Sequence, residues 1–265
     1  MTAQGFEVIP PDVREEIFAR LQGAEQEHEV RILFAIESGS RAWGFASPNS
    51  DYDVRFIYAR PRSWYAAVDA EERRDVIEYP ITDDIDLNGW DVRKALRLFW
   101  KCNPAFVEWI QSPISYIEAG GFRQSALGLL PTVYVAERGV HHYFSMAKTT
   151  YLGHLRGEQV SLKKYLYVLR ALLAIRWIEH HRAAPPIEFR ILLKMIATEE
   201  GLMEEVSRLL QAKSTALELG LASPIQRLNQ FIEAELARLN ELPTTPAPAS
   251  SVLPVLNDLL ARTLL

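Results

Sequence analysis

The chain has little that would cross-link it or carry it into a membrane. One cysteine, Cys102, stands among 265 residues, which excludes an intrachain disulfide and a cysteine-cluster zinc site. Its expected role is packing. No apolar run approaches the roughly 20 residues that a membrane helix needs, and the opening MTAQGFEVIPPDVREE lacks the basic-then-apolar pattern of a secretory signal. A cytoplasmic protein with no membrane partner is the expectation. Basic charge is also short: 29 Lys and Arg against 34 Asp and Glu leave a formal net charge of -5, which argues against a cationic coat for bulk nucleic-acid binding. No internal repeat is visible.

What is present is enough for a sizeable core. A hydrophobic content of 48% over this length supports one large or two modest domains. The basic residues are unevenly placed. Between Arg138 and Lys194, ten Lys or Arg stand against three acids, and five of the six histidines fall in the same span. An acidic half and a basic half suit a metal on one side and phosphates on the other.

The chemistry-bearing stretch is IESGSRAWGFASPNSDYDVRFIY, Ile36 to Tyr58. It follows the apolar run Arg31 to Ile36, which reads as a buried strand. Ser38-Gly39-Ser40 then turns the chain, and Asp51 and Asp53 sit two apart among Tyr52, Val54 and Phe56. Period-two alternation puts both carboxylates on one face of a strand. Paired carboxylates suit a hard divalent cation, Mg2+ or Mn2+, which usually takes one or two carboxylates together with substrate phosphates. Gly39 and Ser40 can hold those phosphates through close backbone approach, exposed amides and a hydroxyl. A Gly-Ser turn alone is a common strand ending, and Asp-x-Asp alone is usually a solvated turn or cap; their combination is far more specific.

That combination resembles the nucleotidyltransferase superfamily typified by DNA polymerase beta: a strand, a Gly-Ser turn, a short helix, then Asp-x-Asp on the next strand. The resemblance implies a third carboxylate on a later strand. Asp86, between Ile85 and Leu87, matches best, with Asp84 as the alternative. At closer range ESGSRAWGFASPNSDYDVRFIY, DIDLNGWDVRKALRLFWKCNPAFVEWIQSP and KKYLYVLRALLAIRW are similar to the RlaP-type predicted nucleotidyltransferases, over most of residues 30–180. The resemblance implies transfer of a nucleoside monophosphate from a nucleoside triphosphate, such as ATP, to an acceptor hydroxyl. It further implies an RNA end as acceptor, a role in RNA repair or processing, and a possible functional link to an RNA ligase. Transfer to a protein or small molecule is the alternative within the same chemistry. A non-catalytic nucleotide-binding or antitoxin-like partner is the alternative outside it.

The expected fold is α+β (α/β): a minimal polymerase-beta-like nucleotidyltransferase domain with a mixed sheet over residues 1–119, then an α-helical substrate-binding domain over 120–265. Strands are expected at about 30–37, 51–59, 74–79 and 84–88, after a first helix from Pro10 to Leu21. Arg41 reads as an ion-pair residue, with a phosphate contact as the alternative; Trp43 and Phe45 read as core. From Asp91 the period becomes helical. Ser161 to His181 shows an apolar stripe of Leu162, Leu166, Leu169 and Leu173 beside a basic face. The superfamily resemblance makes Lys148, Lys164 and Arg170 candidate nucleotide-binding residues. His141-His142 and His180-His181 lack the spacing of a helical metal site. Leu242 to Ser250 reads as a Pro-rich linker or strap.

Overall fold

The proline pair Pro10-Pro11 opens the first helix, α1 (Pro11–His28), in a computed structural model that describes residues 9–215, 220–242 and 244–264. The helix runs a further two turns beyond the expected Leu21, because Ala24 continues the buried stripe of Ile17 and Leu21. It stops at Glu29, which takes a left-handed conformation. The described residues divide into two compact units: those of 9–42, 51–133 and 248–264 form one, and those of 43–50 and 134–247 form the other.

In the first unit α1 is followed by β1 (Arg31–Glu37), the start of α2 (Gly39–Trp43), β2 (Tyr52–Ala59), α3 (Arg62–Tyr65), β3 (Val76–Glu78), β4 (Ile85–Asp91), α4 (Val92–Trp100), α5 (Pro104–Gln111), β5 (Ser115–Glu118) and α6 (Phe122–Val133). The strands make a mixed five-stranded sheet in the order β3-β4-β2-β1-β5, with β2 and β4 parallel and the other pairs antiparallel. β1 is buried at every position but Arg31, and β4 alternates buried and half-buried residues. The first therefore lies in the core and the second has one polar face. One core holds Ile17, Leu21, Ile32, Val54, Phe56, Tyr58, Ile85 and Leu87.

β4 runs three residues past its expected end, to Asp91, whose carboxylate then caps α4 by accepting from the Arg93 amide at 2.8 Å. β5 was not expected. Only four residues long, it lies between Pro113 and the glycine pair Gly120-Gly121, and pairing with β1 makes it a strand. The expected division at 119/120 falls between β5 and α6, both of which belong to the first unit; Phe122 of α6 stacks on Phe34 of β1 with ring centres 6.1 Å apart.

The second unit contains α7 (Ala136–His154), β6 (Val160–Ser161), α8 (Leu162–His181), α9 (Phe189–Leu192) with a 3-10 turn at Leu193–Ile196, α10 (Glu200–Thr215), β7 (Leu221–Ala222) and α11 (Gln226–Arg238). The last helix, α12 (Leu253–Thr263), belongs to the first unit. α8 departs from the expected amphipathic pattern. Tyr165, Leu166, Val168, Leu169, Ala171 to Ile175 and Ile178 are all buried, since α7, α9, α10 and α11 pack around it. Phe45, from the short segment 43–50, is buried in the same core, against Phe189 at 5.3 Å between ring centres. Among the described residues, no helix is long and apolar enough to cross a membrane.

Two outcomes follow from this packing. A Cβ on Gly89 would fall 2.2 Å from the ring of Phe56, its cross-strand neighbour. Gly89→Ala should therefore cost about 1–3 kcal/mol of stability in a urea titration, through overpacking. In the second unit Lys213 is buried with its ammonium 5.1 Å from the Phe45 ring. Burial, reinforced by the charge of Lys163, pushes its pKa down to about 8. The cost of burying that charge is full below about pH 8 and fades as pH rises toward the unfolded lysine value of about 10.4. Lys213→Met should raise the melting temperature at neutral pH and give a smaller gain near pH 10; equal gains at both would rule the charge out as the cause.

Candidate active site

β1 delivers the chain to a sharp turn. Glu37 ends the strand, Ser38 donates its amide to the Asp53 carbonyl at 2.8 Å, and Gly39 starts α2 at φ +58°. That angle is open to glycine at little cost. Space decides the residue as well. A Cβ on Gly39 would sit 1.8 Å from Oδ2 of Asp53, so the Asp53 carboxylate lies directly against the turn. Ser40 and Arg41 are buried, and the Arg41 guanidinium stands 4.1 Å from the centre of the Tyr52 ring.

Register does the rest. In the parallel pairing of β2 with β4, Asp53 is opposite Asp86 and Arg55 is opposite Asn88. All four alternate onto one face. Arg55 links them: its Nη2 donates to Oδ1 of Asp53 at 2.9 Å and to Oδ2 of Asp86 at 2.6 Å, and its Nη1 donates to the Asp86 carbonyl at 2.7 Å. Asn88 donates to Oδ1 of Asp86 at 2.7 Å. Asp51 lies one residue before β2 and is exposed. Asp84 precedes β4 in an exposed left-handed turn, where its carbonyl accepts from the Tyr52 amide at 2.7 Å.

The charges press on one another. Burial raises the Asp53 pKa, the Arg55 guanidinium works against that shift, and the negative charges of Asp86 and Asp51 add to it. Beneath lies Glu37, fully buried, which accepts from the Asp53 amide at 2.9 Å and from the Tyr116 hydroxyl. Burial pushes Glu37 up to about 7 despite those two hydrogen bonds.

The structure thus brings together Gly39, Asp53 and Asp86, with Asp51 near enough to be felt electrostatically. Ser40 follows Gly39 in α2, in the first unit; Lys148, Lys164 and Arg170 lie in the second unit. Arg170 is buried with its guanidinium 4.0 Å from the Trp43 ring centre, and Lys164 is 5.1 Å from that of Tyr167. Trp43 and Tyr167 meet edge to face at 5.1 Å. Lys148 is exposed, 3.4 Å from the Asn240 side-chain oxygen. Arg55, Glu37 and Asn88 were missed in the sequence. Arg55 and Asn88 had a signal, each standing two residues after an aspartate, Asp53 and Asp86, on the same alternation.

No three His, Cys, Asp or Glu side chains among the described residues form a ready-made metal cage. The donor set nonetheless fits a hard divalent cation of the kind that completes its shell with phosphate and water. Carboxylate oxygens from two strands already share one positive nitrogen, that of Arg55.

Comparison with known proteins gives the family. The family described as RlaP, the RNA repair pathway DNA polymerase beta family, matches residues 13–262. The chain belongs to that family. RlaP membership suggests a nucleotidyltransferase. A relative in Bacillus subtilis (strain 168), the uncharacterized protein YcgL, is 44% identical over 229 residues, covering 86% of this chain and 87% of its own.

The contact between turn and carboxylate makes one outcome sharp. Gly39→Ala must accommodate a left-handed alanine, at about 1–2 kcal/mol, and move Asp53 as well. Its unfolding midpoint should drop by more than the backbone term alone; a wild-type midpoint would show that the turn opens freely.

Proposed function

We propose that this RlaP-family chain is a metal-dependent nucleotidyltransferase that moves a nucleoside monophosphate from a nucleoside triphosphate to an acceptor hydroxyl, most favourably on an RNA end. One observation carries the reading: Asp53 and Asp86 face each other across parallel strands, with the Gly39 turn against Asp53. The RNA acceptor draws on the family description.

In this reading Asp51, Asp53 and Asp86 hold Mg2+ or Mn2+, which when bound neutralises triphosphate charge and lowers the pKa of the acceptor hydroxyl. Asp86 is favoured over Asp84 because it is in register with Asp53, whereas Asp84 is turned into solvent ahead of the strand. Gly39 lets the backbone approach the β and γ phosphates, and Ser40 adds its hydroxyl. Asp86 accepts the proton of the acceptor hydroxyl, whose oxygen attacks the α-phosphorus in line; the bond from that phosphorus to the bridging β-phosphate oxygen breaks, and pyrophosphate leaves. Arg55 stands as counter-charge to the two carboxylates until a cation takes that part. The helical region, through Lys148, Lys164 and Arg170, is proposed to engage triphosphate or acceptor.

The test is transfer of label from each α-labelled nucleoside triphosphate, with magnesium or manganese, to RNA, to lysate protein and to small acceptors. Label is expected on RNA. Asp53→Asn and Asp86→Asn should each lower transfer by about a thousandfold or more, Asp84→Asn should leave it within about threefold, and Ser40→Ala should act mainly on KM. Full transfer by Asp53→Asn would end the proposal. Label on protein or a metabolite would move the acceptor, and nucleotide binding without transfer would favour a non-catalytic partner.

A further inference from the structure

The first unit has a concave feature away from the aspartates. In the β1–β2 pair Arg31 is opposite Ala59 and Glu37 is opposite Val54, so the two ends of the pair lie about 20 Å apart at roughly 3.3 Å per residue. The end remote from Gly39 opens into a cavity of about 730 Å3. Arg31, Arg60, Arg62 and Arg262 line it, with Glu29 as the one acid among its described walls. A chain of net charge -5 has gathered four guanidiniums around one hollow, from β1, the end of β2, the start of α3 and α12.

Three of these four cations keep their charge available. Arg31 is held by the Thr263 carbonyl at 2.6 Å; Arg60, which donates to the His28 carbonyl at 3.1 Å, also lies near the Tyr58 and Trp64 rings and is drawn on by the charge of Asp91. Backbone carbonyls orient a guanidinium without neutralising it, and each leaves other N–H groups of the fork to donate. Arg62 is exposed at the start of α3. Arg262 pairs with Asp258 at 2.9 Å where both side chains are more than half exposed, an arrangement worth little in water. Leu33, Phe122 and Leu259 give the cavity an apolar part. Its volume is that of a small-molecule pocket.

We propose that this cavity is a second ligand site that takes a nucleoside phosphate, either free or at the end of a strand, separate from the site of Gly39, Asp53 and Asp86. Planar guanidinium forks match phosphate oxygens in pairs, and the apolar wall suits the base or sugar that a bare inorganic ion lacks. The inference does not rest on nucleotidyl transfer, since none of its residues belongs to the aspartate site.

Calorimetric titration of the full chain in EDTA, which removes metal-dependent binding, tests it. The probes are ATP, inorganic pyrophosphate and a short 5′-phosphorylated RNA, each against wild type, Asp53→Asn and the double variant Arg62→Glu with Arg262→Glu. Wild type and Asp53→Asn should bind ATP or the RNA equally, and more tightly than pyrophosphate. The double variant should bind at least about tenfold more weakly, in line with lost charge-assisted hydrogen bonds, at an unchanged melting temperature. If it melts lower, Arg62→Gln with Arg262→Gln replaces it. ATP binding identifies a free nucleotide as ligand, and binding of RNA alone identifies a strand end. Wild type that binds neither, a double variant that binds as wild type, or loss in Asp53→Asn would overturn the proposal.

Discussion

Two carboxylates placed side by side on adjacent strands repel, and the fold has to hold them there. Asp53 and Asp86 are paired in register by the parallel β2–β4 ladder, so neither can retreat without breaking backbone hydrogen bonds along the strand. Arg55 makes the arrangement tolerable by donating to both. The remaining polar contacts support the same geometry. Asn88 fixes the far oxygen of Asp86, and the Gly39 turn leaves just enough room for the near one of Asp53.

Glu37 is the brace under this assembly. A carboxyl buried among β1, β2 and β5 is costly unless its oxygens are satisfied. Here one accepts from the backbone of Asp53 and the other from the Tyr116 hydroxyl. The short strand β5 therefore does more than close the sheet: it carries Tyr116, whose hydroxyl ties the base of the turn to the sheet edge. Burial raises Glu37 toward neutrality, which lowers the charge that the Asp53 backbone must face.

The second unit shows where linear pattern misleads. The apolar stripe of α8 looked like one face of a surface helix, yet most of its residues from Tyr165 to Ile178 are enclosed. Arg170 accordingly lies against Trp43, which comes from the short segment 43–50 far away in sequence. A helix wrapped by neighbours and one lying on a surface share the same leucine spacing. Only the number of helices around it distinguishes them.

By itself the sequence determined the local chemistry. Alternation in Asp51-Tyr52-Asp53 and Ile85-Asp86-Leu87, glycine at the turn and the change of period near Asp91 are short-range signals, set by backbone sterics and strand pleat. They were enough for four of the five strands of the larger sheet, the mixed α+β class and the family. Tertiary structure alone decided the partners. The opposition of Asp53 to Asp86 depends on which strands pair and in what register; Arg55 acquires its place between them, and Glu37 its burial, only once that pairing exists. β5 is too short to declare itself without β1, and the arginines of the remote cavity come from three separate parts of the chain. Proximity between distant residues comes from burying a shared core, and that free energy is not written in any one stretch of the sequence.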